Sequence, residues 1–134
     1  MNGKRVLVVD DEPYILRSLS YVLRKEGYEV REARSGLEAL EAVKTERPDL
    51  VFLDVMIPEV NGFEVCRTIR QNPALAGVRI VMLTARGQDH ERGKASGADL
   101  FLTKPFSPSK ILEVTRTFTS GETNSEDRAE PLRR

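Results

Sequence analysis

The chain of 134 residues has no tryptophan, one cysteine (Cys66) and one histidine (His90). A single cysteine excludes an intrachain disulfide. One cysteine and one histidine are too few for a Cys/His zinc site. A catalytic Cys–His pair is formally available. Cys66, however, lies on an apolar helical stripe and reads as a small core residue. His90, inside the polar run "GQDHERGK", reads as a solvated surface residue. An excess of one charge is also missing: Lys plus Arg and Asp plus Glu both number 21, so the formal net charge is zero. That balance argues against non-specific binding to nucleic acid or to a membrane surface as the main task. No apolar run approaches the ~20 residues of a membrane-spanning helix. The start "MNGKRVLVVDD" is not a signal peptide, because acids follow the short apolar run at once. A cytoplasmic chain is expected, with neither membrane nor nucleic acid as a direct partner. The length suits one domain with a real core.

What is present is a regular alternation. "RVLVV" (5–9), "YEVREA" (28–33), "LVFL" (50–53), "RIVMLT" (79–84) and "LFLT" (100–103) read as strands, the second the most exposed. Between them lie amphipathic stretches. After Pro13, Ile15, Leu16, Leu19, Val22 and Leu23 recur at helical spacing, and Gly27 supplies the stop. "SGLE" (35–38) has the form of a capping box and opens a helix with Leu37, Leu40, Ala42 and Val43 inward. Asn61-Gly62 opens the next, with Phe63, Val65, Cys66 and Ile69, and "NPALAG" (72–77) reads as a loop. Residues 88–98 predict a weak helix. Ser107 as N-cap, Pro108 at the first helical position and Phe106 stapled to Ile111 open the last one, with Ile111, Val114, Thr115 and Phe118 inward. The expected division is one domain over 1–118 and a disordered polar tail over 119–134.

Strands alternating with helices predict a doubly wound, five-stranded parallel sheet covered on both faces. Ligands of such sheets bind beyond the carboxyl ends of the strands. Four of those ends carry a polar group: Asp10-Asp11, Asp54, Thr84-Ala85 and Lys104-Pro105. Any one of them has an ordinary explanation, as a helix cap or a solvated side chain. Together on one edge they form a chemical set. Three close carboxylates cannot all stay ionised without a cation. Lys104 supplies one charge, and Mg²⁺, which prefers oxygen ligands and keeps exchangeable waters, suits the rest. A spare carboxylate beside a metal pair, an ammonium and a hydroxyl is suited to phosphoryl transfer. Asp54 is the expected nucleophile, since the adjacent Asp10 and Asp11 look like the metal pair.

Taken together, "VLVVDDEP", "DLVFLDVMIPEVNGFEV", "VMLTA" and "GADLFLTKPFS" resemble the receiver domain of bacterial two-component response regulators, the CheY-like superfamily, over about residues 4 to 118. The resemblance implies a flavodoxin-like sheet of order 2-1-3-4-5. It implies that Asp54 accepts a phosphoryl group from a sensor histidine kinase or a histidine phosphotransfer protein. Asp10 and Asp11 would hold Mg²⁺ together with Asp54 and the backbone carbonyl of Met56. Thr84 would be the switch hydroxyl, Lys104 the partner of the phosphoryl oxygens, and Phe101 the aromatic switch. Ala85 would leave room beside the phosphate. Pro58 and Gly62 would shape the turn after Asp54, and the bond to Pro105 would be cis. The surface formed by the fourth helix, fifth strand and fifth helix would then signal to a downstream protein. No output domain is expected after residue 118.

Three departures from the family pattern stand out, one being the short polar stretch 86–99 with Gly87, Gly93 and Gly97, which predicts a short or mobile fourth helix. Phe101 replaces a common tyrosine, so a hydroxyl-mediated step there is absent. Leu100 stands where the winged-helix class has a second acid, which weakens an expectation of that class's usual dimer. Two rival readings remain. An aspartyl-phosphate phosphatase would want a second acid two residues after the nucleophile, where Met56 stands. A phosphate-free pseudo-receiver would have lost an acid or the lysine, and none is missing.

Overall fold

The computed structural model describes residues 3–85 and 90–120. Five strands, β1 (Arg5–Val9), β2 (Glu29–Ala33), β3 (Leu50–Asp54), β4 (Arg79–Thr84) and β5 (Leu100–Thr103), alternate with α1 (Pro13–Lys25), α2 (Gly36–Glu46), α3 (Gly62–Arg70), α4 (His90–Ser96) and α5 (Pro108–Thr119). All pairings are parallel and the order is β2-β1-β3-β4-β5. The expected architecture and strand order are therefore present. β3 lies at the centre with all five residues buried, whereas β2, at one edge, is half exposed. Residues 88–89 of the expected fourth helix, the surface placement of His90 and the polar tail beyond 120 lie outside the described residues.

The period-two alternation of each strand divides the core into two layers. Leu7, Val9, Val51, Leu53, Ile80 and Met82 pack with α2 and α3 on one face. Val6, Val8, Leu50, Phe52, Val81, Leu83 and Leu102 pack with α1 and α5 on the other. α4 lies against α3, where the Arg92 guanidinium stands 4.3 Å from the centre of the Phe63 ring.

The helix starts follow their caps. Ser35 accepts from Glu38 N–H at 3.1 Å, and the Glu38 carboxylate reaches back to Arg34 N–H at 2.6 Å. Asn61 accepts from Glu64 N–H at 3.0 Å, and Ser107 from Lys110 N–H at 3.1 Å. Phe106 packs against the cluster that contains Ile111. Three expectations need correction. Leu37 is 56 % exposed rather than inward. The buried stripe of α2 runs through Gly36, Ala39, Ala42 and Val43, and Leu37 is one residue, about 100°, off that line. The 72–77 stretch contains a 3-10 turn, Pro73–Leu75, opened by Asn72 as its cap. α5 runs through Thr119, whose hydroxyl lies 3.3 Å from Tyr28 Oη and ties α5 to the start of β2.

A half-buried ionic clamp secures the far end of the sheet. Arg70 donates to Gly97 O at 2.8 Å, Val78 O at 2.7 Å and the Asp99 carboxylate at 2.7 Å. Asp99 also accepts from Ile80 N–H at 2.8 Å. α3, the start of β4 and the turn before β5 are thereby fixed to one another.

Candidate functional site

β1 and β3 are neighbours in the sheet, so Asp10 and Asp54 emerge side by side at its carboxyl edge. Both are nearly inaccessible, at 1 % and 6 % exposure, while Asp11 is exposed. Each buried carboxylate is held by the same local device. Asp10 Oδ1 accepts from Glu12 N–H at 3.0 Å, and Asp54 Oδ1 accepts from Met56 N–H at 3.4 Å. In both, an aspartate at a strand end turns back to the amide two residues on. Oxygens of Asp10, Asp11 and Asp54 all lie within 4.8 Å of one another.

Lys104 completes the cluster from two strands away. Its Nζ stands 3.3 Å from Asp10 Oδ2 and 3.5 Å from Asp54 Oδ2. β4 lies between β3 and β5, so this side chain has to cross the end of β4. Ala85 follows directly after the end of β4. Lys104 is itself fixed by its amide, which donates to Thr84 O at 2.7 Å, and the Lys104–Pro105 bond is cis. Thr84 ends β4 with 2 % exposure and is paired in register with Thr103. Phe101 is paired with Met82 and half-buried against the α2/α3 layer.

The turn after Asp54 is tightly determined. Gly62 N–H donates to Val55 O at 2.9 Å, and a Cβ on Gly62 would sit 2.4 Å from Asp54 O. Only glycine fits there. Pro58 O accepts from Val60 N–H at 3.0 Å and from Gly36 N–H at 3.1 Å. Glu59 takes a positive φ of 75° to make the turn. The Met56 side chain is 71 % exposed and points no ionisable group at Asp54.

The electrostatics arise from this geometry. Burial, and then the charge of Asp10, push the Asp54 carboxyl up from 3.8 to about 6. Lys104 and the Met56 amide pull it back only in part. Three carboxylates thus face one ammonium, and the donor set is all oxygen. The residues fit a hard divalent cation such as Mg²⁺. Cys66, by contrast, is fully buried between α3 and α4, and burial raises its thiol, which suits packing.

The sequence had pointed to every side chain of this cluster. It had not pointed to the Glu12 amide or to Gly36. The first was signalled by an aspartate two residues upstream in a non-helical turn. The second depends on a contact 24 residues away, between Gly36 and Val60, that no local pattern carries.

Residues 6–116 match the sequence profile of the family described as the response regulator receiver domain. The chain belongs to that family. As a receiver domain it is 46 % identical over 111 residues to the alkaline phosphatase synthesis transcriptional regulatory protein PhoP of Bacillus subtilis, covering 81 % of this chain and 45 % of that protein. It is 45 % identical to the DNA-binding response regulator MtrA of Mycolicibacterium smegmatis, covering 84 % and 49 %. The receiver thus spans about half the length of the curated relatives it matches. Among solved structures it resembles the chemotaxis response regulator CheY4 of Vibrio cholerae, with a TM-score of 0.81, 35 % identity and coverage of 85 % of this chain and 97 % of the other. It also resembles the receiver domain of a sensor histidine kinase from Pseudomonas aeruginosa that has a magnesium ion coordinated in its active site cleft. That match has a TM-score of 0.82 at 26 % identity and covers 89 % of this chain and 99 % of the other.

Proposed function

We propose that this receiver domain is a phosphorylation switch whose acceptor is Asp54. One observation carries the reading: a nearly buried Asp54 carboxylate held between the Asp10/Asp11 pair and Lys104 at the carboxyl edge of the sheet. An Asp54 oxygen attacks phosphorus and forms the acyl phosphate. The bond from phosphorus to the donor's imidazole nitrogen breaks, and the imidazole keeps the electron pair. The donor is a phosphohistidine on a sensor histidine kinase or a histidine phosphotransfer protein.

The protein's share of the work is positioning and charge. Asp10, Asp11, Asp54 and the Met56 carbonyl would hold Mg²⁺, which when bound neutralises the equatorial oxygens as negative charge spreads over them. Met56 N–H and Lys104 orient the carboxylate. Lys104 then pairs with the phosphoryl oxygens. Thr84, at the end of β4, offers its hydroxyl to them, and Ala85 leaves them room. Phe101 lies on the same side of the sheet as Thr84 in the strand alternation, and its packing carries the change to α4, β5 and α5. That surface addresses a downstream protein in the cytoplasm. The chain is a signalling switch that catalyses only its own phosphorylation and dephosphorylation. Met56, at the position where a phosphatase would need an acid, supports this over a metabolic enzyme.

The test is incubation with Mg²⁺ and acetyl phosphate, or with beryllofluoride, read out by mass and NMR shifts. A stable response that depends on Asp54 is expected. Repeated release of phosphate from a metabolite would replace the reading with a phosphatase, and silence toward both reagents would replace it with a phosphate-free interaction module.

A further inference from the structure

α2 begins directly behind the turn after Asp54. Ser35 caps the helix by accepting from Glu38 N–H, which leaves the Gly36 amide, at the first helical position, without a partner inside the helix. That amide donates to Pro58 O at 3.1 Å. The approach is closer than any other residue type permits. A Cβ on Gly36 would lie 2.0 Å from Val60 O and 2.7 Å from Val60 Cβ. The φ of Gly36 is not in the left-handed region, so its glycine character serves close approach rather than conformation.

The turn is therefore held at both ends. Val55 and Gly62 bind its base, by Val55 N–H to Leu83 O at 3.0 Å and Gly62 N–H to Val55 O at 2.9 Å. Pro58 and Val60 rest on Gly36. Met56 lies between the two anchors, with its amide on Asp54 and its carbonyl among the expected metal ligands. We infer that Gly36 is a positioning residue for phosphoryl transfer, setting the Met56 backbone against Asp54 from the far side of the turn. The inference rests on the phosphorylation reading above and extends it to α2.

A side chain at position 36 would force Val60 back by about 1 Å or more to reach ordinary contact. A displacement of that size at a reacting group is worth about 100-fold in rate. The test compares Gly36→Ala with two controls. Gly77→Ala adds a methyl where no atom lies within 4 Å. Val114→Ala weakens the α1/α5 layer on the opposite face of the sheet. In chelator, the Met56 amide resonance should move in Gly36→Ala and stay in place in both controls. Mg²⁺ affinity by calorimetry and the acetyl phosphate labelling rate should fall about 10- to 100-fold in Gly36→Ala alone. A merely structural role would make Val114→Ala, which also loses stability, behave likewise.

Val60→Gly, which removes the Cβ that lies against Gly36 and adds no bulk, should move the same readouts in the same direction by less. It decides the matter if Gly36→Ala fails to fold. An unmoved Met56 amide with Mg²⁺ affinity and labelling equal to wild type would overturn the inference. If the unsubstituted protein itself takes no label, the phosphorylation reading fails, and the amide and calorimetric comparisons still decide the role of Gly36.

Discussion

Replacing Asp54 by asparagine should make the metal-free protein more stable at neutral pH. Asparagine keeps the shape of a protonated aspartate and removes the charge that burial and Asp10 oppose. The carboxyl stands at about 6 in the fold against 3.8 as the ordinary value. Below about 4 both folded and unfolded chains hold the proton, and the site exerts no penalty. Between about 4 and 6 the unfolded chain ionises first, so stability falls as pH rises through that window. Above it the full penalty applies, and a rise of that size corresponds to about 3 kcal/mol. For a domain of this size the gain in Tm for Asp54→Asn would be roughly 10 °C. Thermal and urea unfolding in chelator, at neutral pH and again in acid, measure it. Equal or lower stability of the variant at neutral pH, or a gap that persists in acid, would refute the electrostatic account of the site.

The same contacts lead to other expectations. Mg²⁺ should raise the Tm of the wild type, because on the proposed reading it would bind the folded carboxylate cluster, and should do far less for Asp54→Asn. Lys104→Ala should abolish the spectral response to beryllofluoride while Mg²⁺ affinity by calorimetry is retained, since on the proposed reading the lysine would pair with the phosphoryl oxygens, and without them it lies against the acids the cation would use. Asp99→Asn should cost about 2 kcal/mol in urea unfolding, because it breaks the charged hydrogen bond that joins α3 to the start of β5. Cys66 should resist a thiol-specific disulfide reagent in the folded protein and react on unfolding, with rapid native labelling counting against its buried placement.

The parts that were legible in the sequence are those decided locally or by a single period. The run from Leu50 to Leu53 announced a strand buried on both faces, and it is the central one. The Asn61 and Ser107 caps fixed where α3 and α5 begin. The site side chains could be found because a parallel sheet brings its strand ends to one edge. Asp10, Asp54, Thr84 and Lys104 each stand at or just past the end of an apolar run, and those positions make up the candidate site. What was missed depends on partners distant in the chain. Leu37 looked inward from its composition, yet the close packing of Gly36 on Val60 orients α2 so that Leu37 faces solvent. The Arg70 clamp unites residues 8, 27 and 29 positions apart, and nothing in "CRTIRQ" signals it. The i, i+2 amide contacts at Asp10 and Asp54 are local, but they engage backbone groups that no side-chain motif marks.

The central claim is that Asp54 itself carries the phosphoryl group. The most direct measurement is labelling with acetyl phosphate and Mg²⁺, reduction of the acyl phosphate with borohydride, and peptide mass spectrometry. The account predicts one modified residue, Asp54, with no label in Asp54→Asn or in chelator. Label at another residue, or label that survives Asp54→Asn, would contradict it.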